Sequence, residues 1–218
     1  MHKESFFDKL YALQDEVLRV INGAGTEFYL TGGTAASRGY LNHRFSEDLD
    51  LFVNDDDRFS AWADRVVQSL IRHSAWDVAV LRKDERFLRC TAASTEVTMR
   101  VELVNDVPAH VGDILEHALL GRLDSPENIL ANKVTAAIDR NEPKDLADIW
   151  GFCSKMALSL NAAIEDAHSK AAGIFPADLA RVLCSTTPKD WEAIRWIQAP
   201  PVEQFISDLR ELGERLIL

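Results

Sequence analysis

The 218-residue chain has 47% hydrophobic and 27% charged residues and a formal net charge of −11, values of an ordinary soluble globular protein. No run approaches the roughly 18 apolar residues of a membrane span, and the charged N-terminus does not resemble a signal peptide. The acidic balance excludes extended DNA binding, because neutralising many phosphates requires a basic surface. The three cysteines lack CxxC spacing and favour reduced thiols, so we expect a cytoplasmic protein without a membrane partner.

The first half of the chain alternates between helical and strand-like patterns. Apolar residues at helical spacing predict a helix over residues 3–21, which ends at Asn22-Gly23. The elements predicted after it are a strand over 27–31, a short helix over 34–41, a strand over 48–53, a helix to about residue 72, and strands over 76–82, 86–92 and 97–104. Because short polar separators join the last three strands, we expect an antiparallel meander.

After Pro108 all the predicted elements are helices. They lie near residues 113–120, 126–140, 143–156, 160–170, 176–184 and 203–216, and prolines separate several of them. The fold class we expect is α+β, with a small mixed β-sheet and flanking helices followed by an all-helical C-terminal domain. The predicted division assigns residues 1–121 to the α/β core and residues 122–218 to the helical domain.

Two carboxylates interrupt an apolar strand in the sequence DLDLFV. Asp48 and Asp50 are two residues apart, so they leave the same face of the strand, about 6–7 Å from each other. Leu49, Leu51 and Val53 take the opposite face and belong to the core. Carboxylates this close repel each other unless a cation lies between them. The pattern therefore predicts a hard divalent ion, Mg²⁺ or Mn²⁺, bound through oxygen ligands.

A third ligand is expected from a neighbouring strand. Glu102 alternates with apolar Val101 and Leu103, so it can share a face with the two aspartates. Two ions held there would activate an attacking oxygen and stabilise a leaving one. The alternative is that Glu102 is a solvated residue on the polar face of its strand.

Gly32-Gly33-Thr34 follows the first predicted strand and precedes a helix. Glycines at such a place let the backbone approach a phosphate closely, and the amides of a helix N-terminus attract an anion. A glycine pair alone is more often a plain tight turn, and the sequence contains neither GxGxxG nor GxxxxGK[ST]. Together with the paired aspartates, the motif predicts the transfer of a nucleotidyl or phosphoryl group.

A resemblance to a known family becomes specific at these residues. GGT followed by HRFSEDLDLF resembles the GG[ST]…[DE]h[DE]h signature (h, hydrophobic) of the DNA polymerase β-type nucleotidyltransferase superfamily. The string is most similar to the AbiEii/AbiGii abortive-infection toxin nucleotidyltransferases, and ENILANKVTAAIDRNEPKDLADIW resembles a second stretch of that family. The resemblance covers roughly residues 28–150 and leaves the C-terminal residues unmatched. Glu102 replaces an Asp of the family pattern, and Lys144 replaces an Arg.

The resemblance implies a Mg²⁺-dependent enzyme that moves a nucleoside monophosphate from an NTP to a hydroxyl acceptor. It implies a nucleotide cleft that the helical domain completes. Asp48, Asp50 and Glu102 are implied as catalytic metal ligands, and Asp145 as a further catalytic acid near the nucleotide or the acceptor. The implied nucleotide-binding residues are Gly32, Gly33, Thr34, Arg44, Ser46, Lys133 and Arg140.

Spacing alone offers simpler explanations for the second stretch. Lys133 and Arg140 share one helix face, which suits a triphosphate but also suits a solvated basic face. Asp145 and Asp148 share a face at the start of the next helix, where acidic residues also favour the helix dipole.

Three functions stay open at this point. The first is a toxin of a toxin–antitoxin or abortive-infection system that modifies an RNA end, such as a tRNA acceptor, or a protein, and has a cognate antitoxin. The second is an enzyme that nucleotidylates a small aminoglycoside-like molecule, which an acidic surface would attract. The third is an inactive regulatory relative, against which the intact aspartate pair argues.

Overall fold

The computed structural model describes residues 3–73 and 75–218, with side chains from Phe6 onward. These residues form two compact units, each built from several chain segments. The first unit comprises the residues up to Thr34 together with Ser46–Pro108 and Ile114–Asp124. The second comprises Ala35–Phe45, Ala109–Asp113 and Ser125–Leu218.

The first unit contains a seven-stranded mixed sheet and three helical segments. Its elements are α1 (Lys3–Asn22), β1 (Tyr29–Thr31), α2 (Gly32–Thr34), β2 (Leu49–Asn54), α3 (Phe59–Ile71), β3 (Asp77–Lys83), β4 (Phe87–Ala93), β5 (Thr98–Asp106), β6 (Leu115–His117) and β7 (Gly121–Leu123). The strand order is β3-β4-β5-β2-β1-β7-β6. β2 is parallel to β5 and β1 is parallel to β7, whereas the other neighbours are antiparallel. The predicted mixed sheet and the antiparallel meander β3-β4-β5 are confirmed.

The alternation of apolar and polar residues decides which face of the central strands is buried. In β2, Leu49, Leu51 and Val53 are buried and the intervening residues are partly exposed. β4 and β5 show the same period of two, and their buried residues join those of α1 and α3 in the core. The opposite face of β2 and β5 therefore carries the polar side chains of these strands.

The helix predicted over residues 113–120 is wrong, because this segment forms the hairpin of β6 and β7. Gly121 begins β7 with φ +75°, and a Cβ at that position would lie 2.2 Å from Asn22 Nδ2. His117 Nδ1 accepts hydrogen bonds from the backbone N–H groups of Leu119 and Leu120, at 3.2 and 3.1 Å, and so organises the turn. Pairing of β7 with β1 overrides the local helical pattern.

The second unit is helical. It contains a π-helix (Ala35–Leu41), which continues α2, and helices α4 (Pro126–Arg140), α5 (Pro143–Lys155), α6 (Leu160–His168), α7 (Pro176–Cys184), α8 (Pro188–Ala193) and α9 (Val202–Glu214). The helices predicted for this part of the chain after residue 125 are confirmed within a few residues. Helix α8 was not among the elements predicted from the sequence, and it begins with a capping box between Thr187 and Asp190. Within the described residues, no helix has the length and apolar character needed to cross a membrane.

Candidate active site

The predicted carboxylates come together on one face of the sheet. In the parallel pair of β2 and β5, Asp50 lies directly beside Glu102. Their neighbours Leu51 and Leu103 are buried on the opposite face, so the two carboxylates share the polar face. Asp48 lies two residues before Asp50, next to the first residue of β2. We call Asp48, Asp50 and Glu102 the carboxylate face.

Two arginines that the sequence analysis missed contact this face. Arg100 on β5 forms a two-point ion pair with Asp48, with Nη2–Oδ2 at 2.5 Å and Nε–Oδ1 at 3.2 Å. Arg89 on β4 is the register partner of Glu102, and its Nε lies 2.8 Å from Glu102 Oε1. Hydrogen bonding to Asp48 raises the pKa of the Arg100 guanidinium. Alternation on β4 and β5 places both arginines on the polar face, which is the signal that could have identified them.

The carboxylate face suits a hard divalent cation by its chemistry, since carboxylate oxygens are the ligands that such an ion prefers. The Asp48 carboxylate is directed to Arg100 and the Glu102 carboxylate to Arg89. In the part of the chain that the structure describes, no group of three or more His, Cys, Asp or Glu side chains is arranged as a metal site. The ligand types fit such an ion, and the ion pairs account for the present orientation of the side chains.

The backbone of Gly32 lies directly against the side chain of Asp50. It has φ +67°, and a Cβ at this position would lie 2.2 Å from Asp50 Oδ2 and 3.1 Å from Asp50 Cβ. Only glycine tolerates both the left-handed conformation and this close approach. The glycine of the GGT motif therefore leaves room for the carboxylate of the DLD motif, which gives the combination of the two motifs a physical reason.

Thr34 and Ser46 are hydrogen-bonded to each other next to Asp48. The Thr34 side chain is buried, and its Oγ1 donates to the backbone oxygen of Asp48 at 2.5 Å and lies 3.0 Å from Ser46 Oγ. Gln14 Nε2 donates to the backbone oxygen of Ser46 at 3.1 Å, and Tyr11 Oη accepts from the Ser46 N–H at 3.2 Å. These contacts hold the segment that leads into β2.

A second cluster lies in the helical unit and is centred on Asp148. Arg44 binds this carboxylate at two points, with Nε–Oδ1 and Nη2–Oδ2 both at 2.7 Å. Lys133 Nζ lies 2.8 Å from Asp148 Oδ2, and His43 Nε2 lies 3.0 Å from Asp148 Oδ1. A bidentate guanidinium pair of this kind is among the stronger hydrogen-bonded arrangements in proteins.

Asp145 extends the cluster. Its Oδ1 accepts from Lys133 Nζ at 2.8 Å, and Arg140 binds both of its oxygens at 2.8 and 2.9 Å. The prediction that Lys133 and Arg140 share one face of α4 is therefore confirmed. Asp145 and Asp148 are both 0% exposed, whereas the Arg140 side chain is 46% exposed. The second stretch thus forms a buried ion-pair network with one accessible edge.

The pKa values follow from burial and charge. Burial raises the pKa of the Asp148 carboxyl, but the charges of Arg44 and Lys133 outweigh that effect and hold its pKa well below the usual range. The pKa of Asp145 is lowered in the same way, with Lys133 as the main opposing charge. Burial lowers the pKa of His43, so this imidazole is neutral at neutral pH. With a neutral His43, the cations Arg44, Lys133 and Arg140 face the carboxylates of Asp145 and Asp148, and Glu142 lies 3.7 Å from Arg140.

The C-terminal residues support this cluster. The backbone around Trp196 forms a bridge with Arg44, and Ile197 N–H donates to the His43 oxygen at 2.9 Å. The Trp196 ring packs edge-on against Phe205 and Trp150, with centroids 5.4 and 6.1 Å apart. Trp150, Trp196 and Phe205 thus form an aromatic packing cluster within the helical unit.

Comparisons with known proteins agree with this architecture. The family described as nucleotidyl transferase AbiEii toxin, type IV toxin–antitoxin system, matches residues 17–200. A search of curated proteins gave no match. The match extends beyond residues 28–150 on both sides, so the range predicted from the sequence motifs was too short.

Several solved structures share the fold. MenT4, a nucleotidyltransferase toxin from Mycobacterium tuberculosis H37Rv, has a TM-score of 0.66 and 16% identity, and the alignment covers 100% of this chain and 86% of that chain. A candidate nucleotidyltransferase from Helicobacter pylori has a TM-score of 0.64 and 20% identity, with coverage of 94% and 93%. JHP933 from Helicobacter pylori has a TM-score of 0.60 and 20% identity, with coverage of 94% and 90%. At these identities the structural likeness establishes the fold alone.

The family match covers most of the chain and includes the glycine motif, the paired aspartates and the helical ion-pair network. It confirms the resemblance inferred from the two motif stretches. The chain therefore belongs to the AbiEii family of nucleotidyl transferase toxins, and it is a nucleotidyltransferase.

Proposed function

We propose that the chain transfers a nucleoside monophosphate from an NTP to a hydroxyl group of an acceptor, with release of pyrophosphate, and that the reaction requires Mg²⁺ or Mn²⁺. The observation that carries this proposal is the register of Asp50 with Glu102 on one face of the sheet, with Asp48 nearby. The close approach of Gly32 to the Asp50 carboxylate adds support, because it joins the two motifs in one site.

Asp48, Asp50 and Glu102 would hold the divalent cation through their carboxylate oxygens. When bound, such an ion stabilises negative charge on the phosphate oxygens and makes the acceptor oxygen a better nucleophile. The carboxylates also concentrate negative charge on this face, which attracts the cation that accompanies an NTP.

The backbone of the GGT motif would contact the phosphates. Gly32, Gly33 and Thr34 follow β1 and form α2, so their N–H groups lie at the start of a helical segment. The Thr34 hydroxyl is bound to the Asp48 backbone oxygen, and therefore Thr34 offers a ligand its backbone rather than its side chain. With the phosphates held, catalysis consists mainly of placing the acceptor hydroxyl in line with the α-phosphate.

Within the helical unit, the residue we propose for phosphate binding is Arg140. This residue is the most exposed cation of the cluster and keeps two hydrogen bonds to Asp145, which orient its guanidinium. Lys133 and Arg44 are nearly buried, and we assign them the role of balancing Asp145 and Asp148. Ser46 supports the segment that carries the carboxylates through its bond with Thr34.

The acceptor we propose is a hydroxyl of an RNA end. Recognition of a terminus needs contacts to only a few phosphates, so it is compatible with a net charge of −11, whereas tracking along a duplex is not. The family description also supports a cognate antitoxin that counteracts the chain. The same net charge favours one second candidate, a cationic aminoglycoside-like acceptor.

The test is an incorporation assay with the purified chain, Mg²⁺ and each NTP labelled at the α-phosphate. Total RNA, lysate protein and an aminoglycoside are offered as separate acceptors. Label on RNA that disappears with EDTA supports the proposal. Label on the aminoglycoside supports the second candidate, label on protein corrects the acceptor, and no transfer to any acceptor contradicts the proposed reaction.

Gly32→Ala is expected to reduce transfer roughly a hundredfold, because displacing a catalytic group by about 1 Å can have an effect of that size. The added Cβ would displace the Asp50 carboxylate. The left-handed backbone adds a loss of about 1–2 kcal/mol in stability. The measurements are the transfer rate and the free energy of unfolding in urea.

Gly25→Ala is the matched control for that variant. Gly25 has nearly the same φ, +66°, but the nearest atom to an added Cβ is the flexible Arg65 side chain at 3.7 Å. It should lose similar stability and keep its transfer rate. Equal transfer rates in the two variants would show that Gly32 has no special relation to Asp50.

A further inference from the structure

Arginine side chains of β4 and β5 pair with carboxylates of the face. Arg100 pairs with Asp48, and Arg89 pairs with Glu102. The four side chains are accessible, with exposed fractions of 50% and 31% for the first pair and 36% and 21% for the second. The Arg100–Asp48 pair is exposed and the Arg89–Glu102 pair is half-buried. Ion pairs that solvent reaches contribute modestly to stability, so the arginines can leave their partners at modest cost in free energy.

The charges of these groups suggest what the arginines do. Two guanidinium groups place two positive charges beside the carboxylate face, the same charge that one divalent cation would bring. The arginines therefore neutralise the repulsion among the carboxylates before a metal ion binds. A metal ion that binds the same oxygens, both of Asp48 and Oε1 of Glu102, competes with the guanidinium groups for them.

Displaced guanidinium groups would lie close to the substrate phosphates. Arg89 lies beside Glu102 across the β4–β5 pair, and Arg100 is two residues before Glu102 on the same face of β5. The planar guanidinium group matches a phosphate as well as it matches a carboxylate, because both accept two parallel hydrogen bonds. The phosphate oxygens of a triphosphate that binds together with the metal ion would then accept the hydrogen bonds that the arginines no longer donate to the carboxylates.

We infer that Arg89 and Arg100 are exchangeable counter-ions of the carboxylate face, which bind Asp48 and Glu102 before metal binding and the triphosphate afterwards. The inference rests on the proposed function, since it requires that the face bind a divalent cation and an NTP. It adds to that function a pair of substrate-positioning residues and makes metal binding and nucleotide binding mutually supportive. It predicts opposite effects of an arginine substitution on the two ligands.

The experiment measures the two ligands separately. Mn²⁺ binding without nucleotide is followed by the electron paramagnetic resonance signal of the free ion. Nucleotide binding with Mg²⁺ present is followed by calorimetry, with a non-hydrolysable α,β-methylene analogue of each of the four NTPs. Far-UV circular dichroism and the thermal midpoint confirm that each variant is folded.

For Arg100→Ala we expect tighter Mn²⁺ binding, by about two- to tenfold, because a competing positive charge has been removed. We expect nucleotide affinity to fall by about tenfold or more, the loss typical of a charge-assisted contact. Arg89→Ala should change both affinities in the same directions. Arg100→Lys keeps the charge but not the planar group, so its Mn²⁺ affinity should stay near that of the wild type while nucleotide affinity falls.

Arg181→Ala is the matched control. Arg181 is an exposed arginine of α7 whose Nη2 lies 3.6 Å from Asp178 Oδ1, so it pairs outside the carboxylate face. It should change neither affinity. If Arg100→Ala and Arg89→Ala weaken both ligands together, or change neither, the exchange is refuted. If the wild type binds neither Mn²⁺ nor any nucleotide, the proposed function itself fails.

Discussion

Replacing Lys133 with alanine is expected to destabilise the chain by about 3 kcal/mol, the lower end of what removing one partner of a buried ion pair costs. The ammonium group contacts both Asp145 and Asp148, and these two carboxylates are 0% exposed. Each carboxylate keeps one arginine, Arg140 or Arg44, which limits the loss. The measurement is the free energy of unfolding from urea titration at neutral pH.

Lys144→Ala is the control for this variant. Lys144 is 48% exposed and pairs with Glu142, so its removal should change stability by less than about 0.5 kcal/mol. Nucleotide affinity should be compared only where both variants are folded. If Lys133→Ala lost nucleotide binding while its stability matched that of Lys144→Ala, Lys133 would be a ligand-binding residue and its balancing role would be refuted.

The effect of Lys133→Ala should depend on pH in a defined direction. The folded-state pKa values of Asp145 and Asp148 are lowered, so their contribution to stability is present above the unfolded pKa of about 3.9 and is lost as pH falls through the folded values. The pKa of Lys133 is raised, so its contribution is present below the unfolded value of about 10.4 and is lost as pH rises through the folded value. The difference between wild type and variant should therefore shrink at strongly acidic and strongly alkaline pH.

Asp50→Asn is expected to lower transfer by at least about a thousandfold, which corresponds to roughly 4 kcal/mol of transition-state stabilisation. Asp50 lies between the glycine motif and Glu102, so the substitution removes the central charge of the carboxylate face. Stability should stay equal or increase slightly, because fewer like charges repel each other. Single-turnover rates with Mg²⁺ and thermal unfolding measure the two effects.

Two substitutions of Glu102 test the metal-ligand assignment independently of Asp50. Glu102→Gln should lose most of the activity, whereas Glu102→Asp should keep a substantial part, since the carboxylate stays next to Asp50. Asp77→Asn, on the edge strand β3, is the control, and it should leave the transfer rate unchanged. Near wild-type turnover for Asp50→Asn or Glu102→Gln would remove the metal assignment.

The sequence alone determined the features that depend on neighbours along the chain. The period of two in DLDLFV placed Leu49 and Leu51 in the core, and Asp48 and Asp50 on the other face, without knowledge of the fold. The same alternation assigned Glu102 to a polar face, and helical spacing placed Lys133 and Arg140 on one side of α4. The two motif stretches were specific enough to indicate the family, although not its full extent along the chain.

The tertiary structure decided which of these residues meet. The pairing of Asp50 with Glu102 depends on the register between β2 and β5, and the ion pairs of Arg89 and Arg100 depend on neighbouring strands. Burial of Asp145 under Lys133 likewise depends on how α4 packs against α5. The local sequence pattern determines the face on which a side chain lies. Its partner depends on contacts between residues that are far apart in the chain, and the free energy of those contacts cannot be read from the local sequence. For the same reason the strand pair β6–β7 was mistaken for a helix, because its pairing with β1 outweighed its local propensity.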